Sequence, residues 1–306
     1  MQKVVSVNIS EKKGTIKEPV NSIVVNNTGI EGDAHSGNWN RQISLLGVES
    51  IEKFEKQTNR KIKYGEFAEN ITTRGITLFD MHPLDRLLVG DVELEITQIG
   101  KKCHGTSCQI FKTTGDCVMP KEGIFARVVR NGKIEKEMKL LYFPKIYKVC
   151  VITLSDRAWQ GIYKDESGPL LEKRILDFFR TNKRSVNITK EIIPDEKEAL
   201  LDKLNKYSDF DVIFTTGSTG IGSRDIAPDV IKSYIDKEIP GIMEIIRVKY
   251  GMEKPAALLS RSIAGTKNSS MIYSVPGSTK AVEEYSAEIF KTLLHSIHMI
   301  HSLDIH

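Results

Sequence analysis

One stretch decides the fold of the second half of the chain: Val149-Cys150-Val151-Ile152-Thr153-Leu154. An apolar run of this kind suits a strand that is buried on both faces, as strands of parallel sheets are. After it, further strands are predicted at 188–193, 211–215 and 271–275, and helices at 167–179, 196–206, 227–235, 242–250 and 279–300. This alternation predicts an α/β fold with an open, mostly parallel sheet, whose ligands bind beyond the carboxyl ends of the strands.

The half that precedes this stretch has a different pattern. Short β-type runs separated by turn residues occur at 4–7, 22–25, 43–46, 92–97, 124–129 and 138–142, and 49–57 is the clear helical segment. We therefore expect a β-rich barrel or folded sheet here. The change of pattern predicts two domains, at 1–143 and 147–306.

The composition is that of a soluble globular protein. Hydrophobic residues make up 40% and charged residues 27% of 306 residues, a length that suits two domains. Because no long uncharged apolar span and no signal-type segment occurs, we expect a cytoplasmic protein that does not cross a membrane. The net charge of +4 is spread over mixed-sign segments, which favours a small anionic ligand over a nucleic acid.

A glycine-rich loop follows the third predicted strand of the second half: Thr215-Thr216-Gly217-Ser218-Thr219-Gly220-Ile221-Gly222-Ser223-Arg224-Asp225. Glycines let backbone N–H groups approach an anion, and hydroxyls and a following helix add donors. The loop lacks the ending of a Walker motif and the order of a dinucleotide motif. It predicts a phosphate site; the alternative is a strand-to-helix turn in which Asp225 caps the helix.

Carboxylates follow three consecutive predicted strands. Asp156 comes after the first, Asp195 after the second, and Asp225 lies in the loop after the third. Carboxylates beside a phosphate site would repel the phosphate unless a hard cation lay between them, so Mg²⁺ is predicted. The alternative is that Asp195 only caps its helix.

With these motifs, the second half resembles the molybdopterin adenylyltransferase family, whose MogA/MoaB-like fold also occurs in gephyrin. The resemblance implies Mg²⁺-dependent transfer of AMP from ATP to molybdopterin, with pyrophosphate released. It makes Asp195 and Asp225 the catalytic, cation-binding carboxylates. The ligand-binding positions that it implies are Thr216, Gly217, Ser218, Thr219, Gly220, Ser155, Asp156, Ser260, Arg261, Pro276 and Gly277. It also implies a homo-oligomer, a trimer in the relatives.

Three positions depart from the family pattern. Ser218 replaces the second glycine of its loop motif, Ala227 replaces a threonine, and Thr279 stands where proline is common. None of these changes removes a carboxylate. If the backbone at Ser218 has a positive φ, a serine there costs roughly 1 kcal/mol relative to glycine.

The first half resembles the MOSC domain, named for the C-terminal part of molybdenum cofactor sulfurase. The motifs lie at 29–35, 41–45, 65–71, 90–91, 96–98 and 123–128. The resemblance implies a cysteine that carries sulfur or binds the metal of the molybdenum cofactor, and a sulfur donor or a molybdenum-insertion protein as partner. Cys103 best fits the position of that cysteine, and Cys117 is the alternative candidate.

The residues around these cysteines bear on the choice. Lys101, Lys102 and His104 adjoin Cys103, and positive charge favours a thiolate. The alternative is that the cysteine is a small packed residue. The spacing of Cys103, Cys108 and Cys117 does not suit a structural zinc. We expect His35, Arg41, Glu69 and Asn70 to line a pocket for the cofactor; the alternative is that Asp33 and Asn70 are turn and hydrogen-bonding residues.

Two other functions stay open at this point. One is a binding or carrier protein for molybdopterin or the molybdenum cofactor that does not turn over, for which Ser218 is the hint. The intact Asp195 and Asp225 favour an enzyme. The other is molybdate insertion, although insertases carry domains that this sequence lacks.

Overall fold

A computed structural model describes residues 1–102 and 117–303. The chain divides into two compact units, Met1–Lys145 and Ile146–Ser302, here called the first and second units. None of the helices in the described ranges combines the length and the apolar character that crossing a bilayer requires.

The first unit is rich in β-strands, as predicted. Its strands are β1 (Lys3–Ile9), β2 (Glu18–Val20), β3 (Ser22–Asn26), β4 (Gly29–Ile30), β5 (Ile43–Gly47), β6 (Ile71–Arg74), β7 (Arg86–Val89), β8 (Val92–Ile99), β9 (Ile124–Arg130), β10 (Gly132–Glu135) and β11 (Leu140–Phe143). Its helices are α1 (Val48–Thr58) and α2 (Met119–Glu122), with a 3₁₀ turn at Leu78–Asp80.

These strands form an eight-stranded sheet, in the order β11-β7-β8-β9-β5-β6-β1-β2, and a three-stranded sheet, β10-β3-β4. The prediction of a barrel is not confirmed. In the described part of this unit, the ladder ends at β11 and β2, and one isolated bridge, Lys3 to Lys139, joins β1 to the approach to β11. Alternating apolar residues predict strands with one buried face, but closure depends on long-range pairing that the local pattern does not encode.

The second unit has the predicted α/β fold. Its strands are β12 (Ile146–Leu154), β13 (Ser185–Ile193), β14 (Val212–Thr216), β15 (Lys237–Glu238), β16 (Ala264–Lys267) and β17 (Ser270–Val275). Its helices are α3 (Asp156–Trp159), α4 (Ser167–Thr181), α5 (Lys197–Lys206), α6 (Ala227–Tyr234), α7 (Pro240–Glu253), α8 (Thr279–Ile289) and α9 (Leu293–Ile300), with a 3₁₀ turn at Pro255–Leu259.

The sheet of this unit is mixed. Its order is β13-β12-β14-β17-β16-β15; the first four strands pair in parallel, β16 pairs antiparallel with β17, and β15 pairs antiparallel with β16. Neither antiparallel strand was predicted, because β15 has two residues and β16 reads Ala-Gly-Thr-Lys, which lacks an apolar pattern.

The predicted helix at 279–300 is two helices, α8 and α9. Between them Lys291 N donates to Glu288 O (3.2 Å) and Thr292 N to Ile289 O (3.1 Å), which are tighter i→i−3 bonds. The Thr292 hydroxyl also donates to Ile289 O at 3.2 Å. A threonine side chain that competes for the backbone in this way interrupts the regular α-helix.

The parallel register brings the carboxyl ends of four strands to one edge. Leu154 of β12 pairs with Ile193 of β13, Thr153 with Thr216 of β14, and Thr216 with Val275 of β17. The segments that follow these ends therefore lie side by side. They begin at Ser155, Pro194, Gly217 and Pro276.

Candidate functional site

The glycine-rich loop begins with a turn that requires glycine. Gly217 has φ +97°, and a Cβ there would lie 2.3 Å from the carbonyl oxygen of Leu154. A Cβ on Gly277 would lie 3.1 Å from Gly217 Cα, so the turns after β14 and β17 are also in close contact. Gly217 N donates to Val275 O at 3.0 Å. Any side chain at Gly217 would displace this edge of the sheet.

Ser218, the next residue, has a left-handed backbone with φ +56°. Its hydroxyl donates to the carbonyl oxygen of Arg224 (2.9 Å) and accepts from the N–H of Ile226 (2.9 Å). Its carbonyl oxygen accepts from Ala227 N at 3.1 Å. The two N–H groups at the start of α6 are thereby used by Ser218, whereas the sequence predicted that this helix terminus would contribute to phosphate binding.

Arg261 braces the middle of the loop. Its N–H donates to Thr219 O (2.9 Å), and its Nε donates to Gly220 O (2.7 Å). One terminal nitrogen donates to both carboxylate oxygens of Asp229, at 2.9 and 2.8 Å, and the other donates to Asp225 O. Arg261 was predicted to bind anionic groups of the substrate, but its guanidinium is engaged by the loop and by Asp229.

Arg261 binds carbonyl oxygens on one side of the loop, and backbone N–H donors lie on the opposite side. Peptide bonds here are trans, so the N–H of Gly220 points opposite to the carbonyl of Thr219, and that of Ile221 opposite to the carbonyl of Gly220. Within residues 1–102 and 117–303, the N–H groups of Thr219, Gly220 and Ile221 make no hydrogen bond. Backbone donors without protein partners that cluster in a loop suit an anionic ligand.

Asp156 and Asp195 form a reciprocal pair at the ends of β12 and β13. Asp156 N donates to Asp195 Oδ2 (3.1 Å), and Asp195 N donates to Asp156 Oδ1 (3.0 Å). Arg224 from the loop binds Asp156, with Nη2 at 2.8 and 2.7 Å from the two carboxylate oxygens and Nε at 3.1 Å. Arg224 thus ties the loop to the adjacent strand ends.

The two carboxyl groups of this pair differ electrostatically. Hydrogen bonds from Arg224, and then from the N–H of Asp195, lower the pKa of Asp156. Burial raises the pKa of Asp195, and the negative charge of Asp156 adds to this effect. Asp156 is therefore ionised and paired with Arg224, whereas no lysine or arginine among the described residues forms an ion pair with Asp195.

Asp225 lies within the loop itself. Its Oδ2 accepts from Gly222 N at 2.8 Å and would lie 2.7 Å from a Cβ on Gly220. The structure thus brings Asp156 and Asp195 into contact, and it places Asp225 against the loop backbone. In the ranges that the structure describes, no cluster of three or more His, Cys, Asp or Glu side chains has the geometry of a metal site.

The remaining predicted positions of the second unit have structural contacts. Ser155 caps α3 by accepting from Ala158 N at 3.2 Å, and the Thr216 hydroxyl donates to Pro276 O at 3.3 Å. Asp165, which was not among the predicted positions, lies before α4 and accepts from Gly168 N at 3.0 Å. These contacts fix the turns around the loop.

The first unit contains a positively charged pocket with an aromatic wall. The cavity has a volume of about 220 Å³ and is lined by Gly14, His35, Trp39, Arg41, Ser44, Phe67, Ala68, Asn70, Lys101, Met119 and Phe125. The Arg41 guanidinium lies over the Trp39 ring, 5.0 Å from its centroid. Three of the four predicted residues therefore line one pocket. Glu69 does not: it is fully buried and accepts from Gly65 N (2.6 Å) and from the Thr72 hydroxyl (2.9 Å).

A buried ion pair supports this pocket. Lys17 Nζ and Asp33 Oδ2 lie 2.5 Å apart, and each side chain is 1% exposed. Asp33 also accepts from His35 N (2.9 Å) and from Asn70 Nδ2 (3.1 Å). Burial opposes ionisation of Asp33, but bonds from His35 and Lys17 outweigh it and hold its pKa below the usual value. Lys17 thus neutralises the charge of Asp33. Asp33 therefore does not offset the positive charges of Arg41 and Lys101 in the pocket lining.

Comparison with known proteins gives a family match in each unit. A family described as "Probable molybdopterin binding domain" matches residues 150–296, and the MOSC domain matches residues 32–139. The molybdopterin adenylyltransferase of Helicobacter pylori is 32% identical over 153 residues, which are 49% of this chain and 85% of that protein. The chain belongs to the molybdopterin-binding domain family. Its first unit carries a MOSC domain.

Other relatives of the molybdopterin-binding domain differ in length. The molybdenum cofactor synthesis protein cinnamon of Drosophila melanogaster is 35% identical over 153 residues, but the match spans 25% of cinnamon and 49% of this chain. A solved structure, the molybdopterin biosynthesis enzyme MoaB of Thermus thermophilus, aligns at 28% identity and a TM-score of 0.46 over 51% of this chain and 97% of its own.

The molybdopterin-binding domain has a cavity of its own beside the loop. Its volume is about 180 Å³, and it is lined by Lys254, Ala256, Ala257, Ser260, Pro276, Ser278, Lys280, Ala281, Glu284 and Tyr285. The hydroxyl of Tyr285 donates to Ser260 Oγ at 3.0 Å. Ser260 and Pro276 were predicted as ligand-binding residues. Lys254, Lys280 and Tyr285 were missed, because a lysine or tyrosine on a helix carries no positional signal in a single sequence.

The cysteines of the MOSC domain are described only in part. Cys103 and Cys108 lie outside the described residues. Cys117 is half-buried and packs against an apolar cluster that includes Phe67, Met119 and Phe125. In the molybdopterin-binding domain, burial raises the pKa of Cys150 to about 12, so that thiol is inert at neutral pH.

Proposed function

We propose that the molybdopterin-binding domain transfers AMP from ATP to the terminal phosphate of molybdopterin. The observation that carries this proposal is the row of N–H donors at Thr219, Gly220 and Ile221, which have no partner in the described protein and lie in the loop that Arg224 ties to Asp156. The similarity to the adenylyltransferase of Helicobacter pylori, over most of that protein's length, supports the same reaction.

The transfer is a substitution at the α-phosphorus of ATP. A phosphate oxygen of molybdopterin attacks this phosphorus, the bond from it to the bridging oxygen of the β-phosphate breaks, and pyrophosphate leaves with the electron pair. Phosphoryl chemistry of this kind asks a protein mainly for positioning and charge neutralisation. The loop N–H groups supply donors to the phosphate oxygens, and Ser260 and Pro276 line the adjoining cavity for the second substrate.

Asp195 and Asp225 fit a Mg²⁺ ion that arrives with the nucleotide. Mg²⁺ in such enzymes is held by one or two carboxylates together with substrate phosphates, so a cage of three acidic residues is not required. Asp156 is already neutralised by Arg224, which leaves Asp195 and Asp225 as ligands. When bound, the ion neutralises the charge that develops on the phosphate oxygens.

Pyrophosphate release by the purified full chain, supplied with ATP, Mg²⁺ and molybdopterin, tests this function. We expect release that requires molybdopterin and is lost in Asp195→Asn. Asp202→Asn, at an exposed position on α5, is the matched control and keeps the wild-type rate. Tight binding of molybdopterin with no pyrophosphate released by the wild-type chain would instead establish a carrier.

We also propose that the MOSC pocket binds an anionic form of the cofactor. His35, Arg41 and Lys101 line it, and the nearby Asp33 is neutralised by Lys17. The aromatic wall suits a planar ring beside the anionic group. Molybdenum cofactor should therefore bind the chain less tightly after Arg41→Ala, while Arg130→Ala, at an exposed position on β9, leaves binding unchanged. Equal binding by both variants would exclude the pocket.

A further inference from the structure

Ser218 holds a backbone conformation that glycine would adopt without strain. Its φ of +56° follows directly on the φ of +97° at Gly217, where the carbonyl of Leu154 leaves no room for a side chain. A left-handed serine is less stable than a left-handed glycine, because its Cβ crowds the neighbouring backbone. A strained backbone conformation is expected to persist only where contacts of the residue, here those of its side chain, stabilise it.

The side chain of Ser218 makes contacts that glycine cannot make. Its hydroxyl lies between Arg224 O and Ile226 N, each 2.9 Å away, and so joins the start of the loop to its end. Burial raises the pKa of the Asp195 carboxyl, and the nearby Ser218 hydroxyl partly offsets that rise.

These contacts enclose the loop donors. Thr219, Gly220 and Ile221 lie between Ser218 and Arg224, and their carbonyl side is held by Arg261. With both ends joined through one hydroxyl and the middle braced, the loop has its shape before a ligand arrives. When a binding loop is already ordered in the free protein, the ligand does not have to offset the loss of conformational entropy that ordering the loop would cost.

We propose that Ser218 is a positioning residue that holds the loop in its ligand-binding shape, and that its hydroxyl thereby increases affinity for the triphosphate of a nucleotide. This inference rests on the proposed function. The serine is then not a sign of lost activity: in place of the relaxed backbone of glycine, it supplies hydrogen bonds that join the start of the loop to its end and to the start of α6.

Two variants separate strain from hydrogen bonding. Ser218→Ala keeps the left-handed strain and loses the hydroxyl, whereas Ser218→Gly loses the hydroxyl and relieves the strain. We expect thermal stability in the order wild type, Ser218→Gly, Ser218→Ala. Both variants should bind ATP with Mg²⁺ about tenfold more weakly, because two hydrogen bonds that shape the loop are absent in each. Ser269→Ala, in the exposed turn between β16 and β17, is the control.

The measurement is calorimetric binding of a non-hydrolysable ATP analogue with Mg²⁺ to the full chain. Affinity that is weak in both variants while stability recovers in Ser218→Gly supports the proposal. Affinity that follows stability, so that Ser218→Gly binds like wild type, overturns it and leaves the proposed function intact. A wild-type chain that binds no analogue overturns the proposed function itself. If Ser218→Ala does not fold, Ser218→Gly decides alone.

Discussion

Asp156 and Asp195 each accept the backbone N–H of the other, at 3.0 and 3.1 Å, and so lock the ends of two neighbouring parallel strands together. Each carboxylate is held by a backbone group that no side-chain substitution can remove. The pair fixes Asp195 beside the loop, and Arg224 neutralises the partner charge. This arrangement separates a structural carboxylate, Asp156, from one that is available to a cation, Asp195.

Replacing either proposed cation ligand is expected to slow adenylyl transfer strongly. Asp195→Asn or Asp225→Asn keeps the size of the side chain but removes the charge, and loss of one stabilising group of this kind lowers kcat by about 10²- to 10³-fold. Circular dichroism should show an unchanged fold. A wild-type rate in Asp225→Asn would show that its carboxylate only holds the loop through Gly222 N.

Arg224 is expected to matter for nucleotide binding more than for stability. Its pair with Asp156 is solvent-exposed, and such pairs contribute about 1 kcal/mol or less. In Arg224→Ala, the unneutralised Asp156 repels the triphosphate, so KM for ATP should rise while the melting temperature changes little. The rise should shrink at high ionic strength, because salt screens exposed charges. An increase in KM that is independent of salt would contradict this explanation.

Arg261 is expected to act through the loop rather than by touching substrate. Lysine cannot reproduce its simultaneous bonds to Gly220 O, Asp225 O and Asp229, so Arg261→Lys should destabilise the second unit by about 2 kcal/mol. Chemical denaturation measures this loss, with Arg180→Lys on the exposed face of α4 as control. Unchanged stability with weakened molybdopterin binding would instead assign Arg261 to the substrate.

Glu69 gives the first unit a pH-dependent stability. Burial raises its pKa to about 7, above the ordinary value of 4.5. A carboxyl whose folded pKa is raised stabilises the fold below the unfolded pKa, and this contribution is lost as the pH rises from about 4.5 through 7. Glu69→Gln should abolish this loss in unfolding measurements across that range, whereas Glu31→Gln, at an exposed site, should retain it. If the free energy of unfolding of Glu69→Gln depended on pH as that of the wild type does, Glu69 would not be the source of the pH dependence.

The reactive cysteine of the MOSC domain can be ranked by labelling. Iodoacetamide at mildly acid pH, followed by peptide mapping, should modify Cys103 before Cys117, because lysines and a histidine adjoin Cys103 in sequence. Cys150 should remain unlabelled, since burial raises its pKa. Faster labelling of Cys117 would reverse the assignment, and uniform inertness would make all of these cysteines structural.

The sequence predicted what local patterns encode. The strand at Ile146–Leu154, the glycine-rich loop and the carboxylates after the strands were recognisable, because apolar runs, glycines and acidic residues mark them directly. The brace of Arg261 was not predictable, since its partners are mostly backbone carbonyls distant in sequence. The interruption between α8 and α9 at Thr292 likewise depends on a hydrogen bond from the Thr292 side chain to Ile289 O, and the apolar periodicity of the sequence gives no sign of it.

The proposed reaction forms a phosphoanhydride between AMP and molybdopterin. ATP labelled at the α-phosphate, incubated with the full chain, Mg²⁺ and molybdopterin, tests it most directly. We expect label to appear on molybdopterin in a one-to-one ratio with pyrophosphate, and we expect Asp195→Asn to transfer it about 10²- to 10³-fold more slowly. Labelled ATP that stays intact while molybdopterin is tightly bound would contradict it.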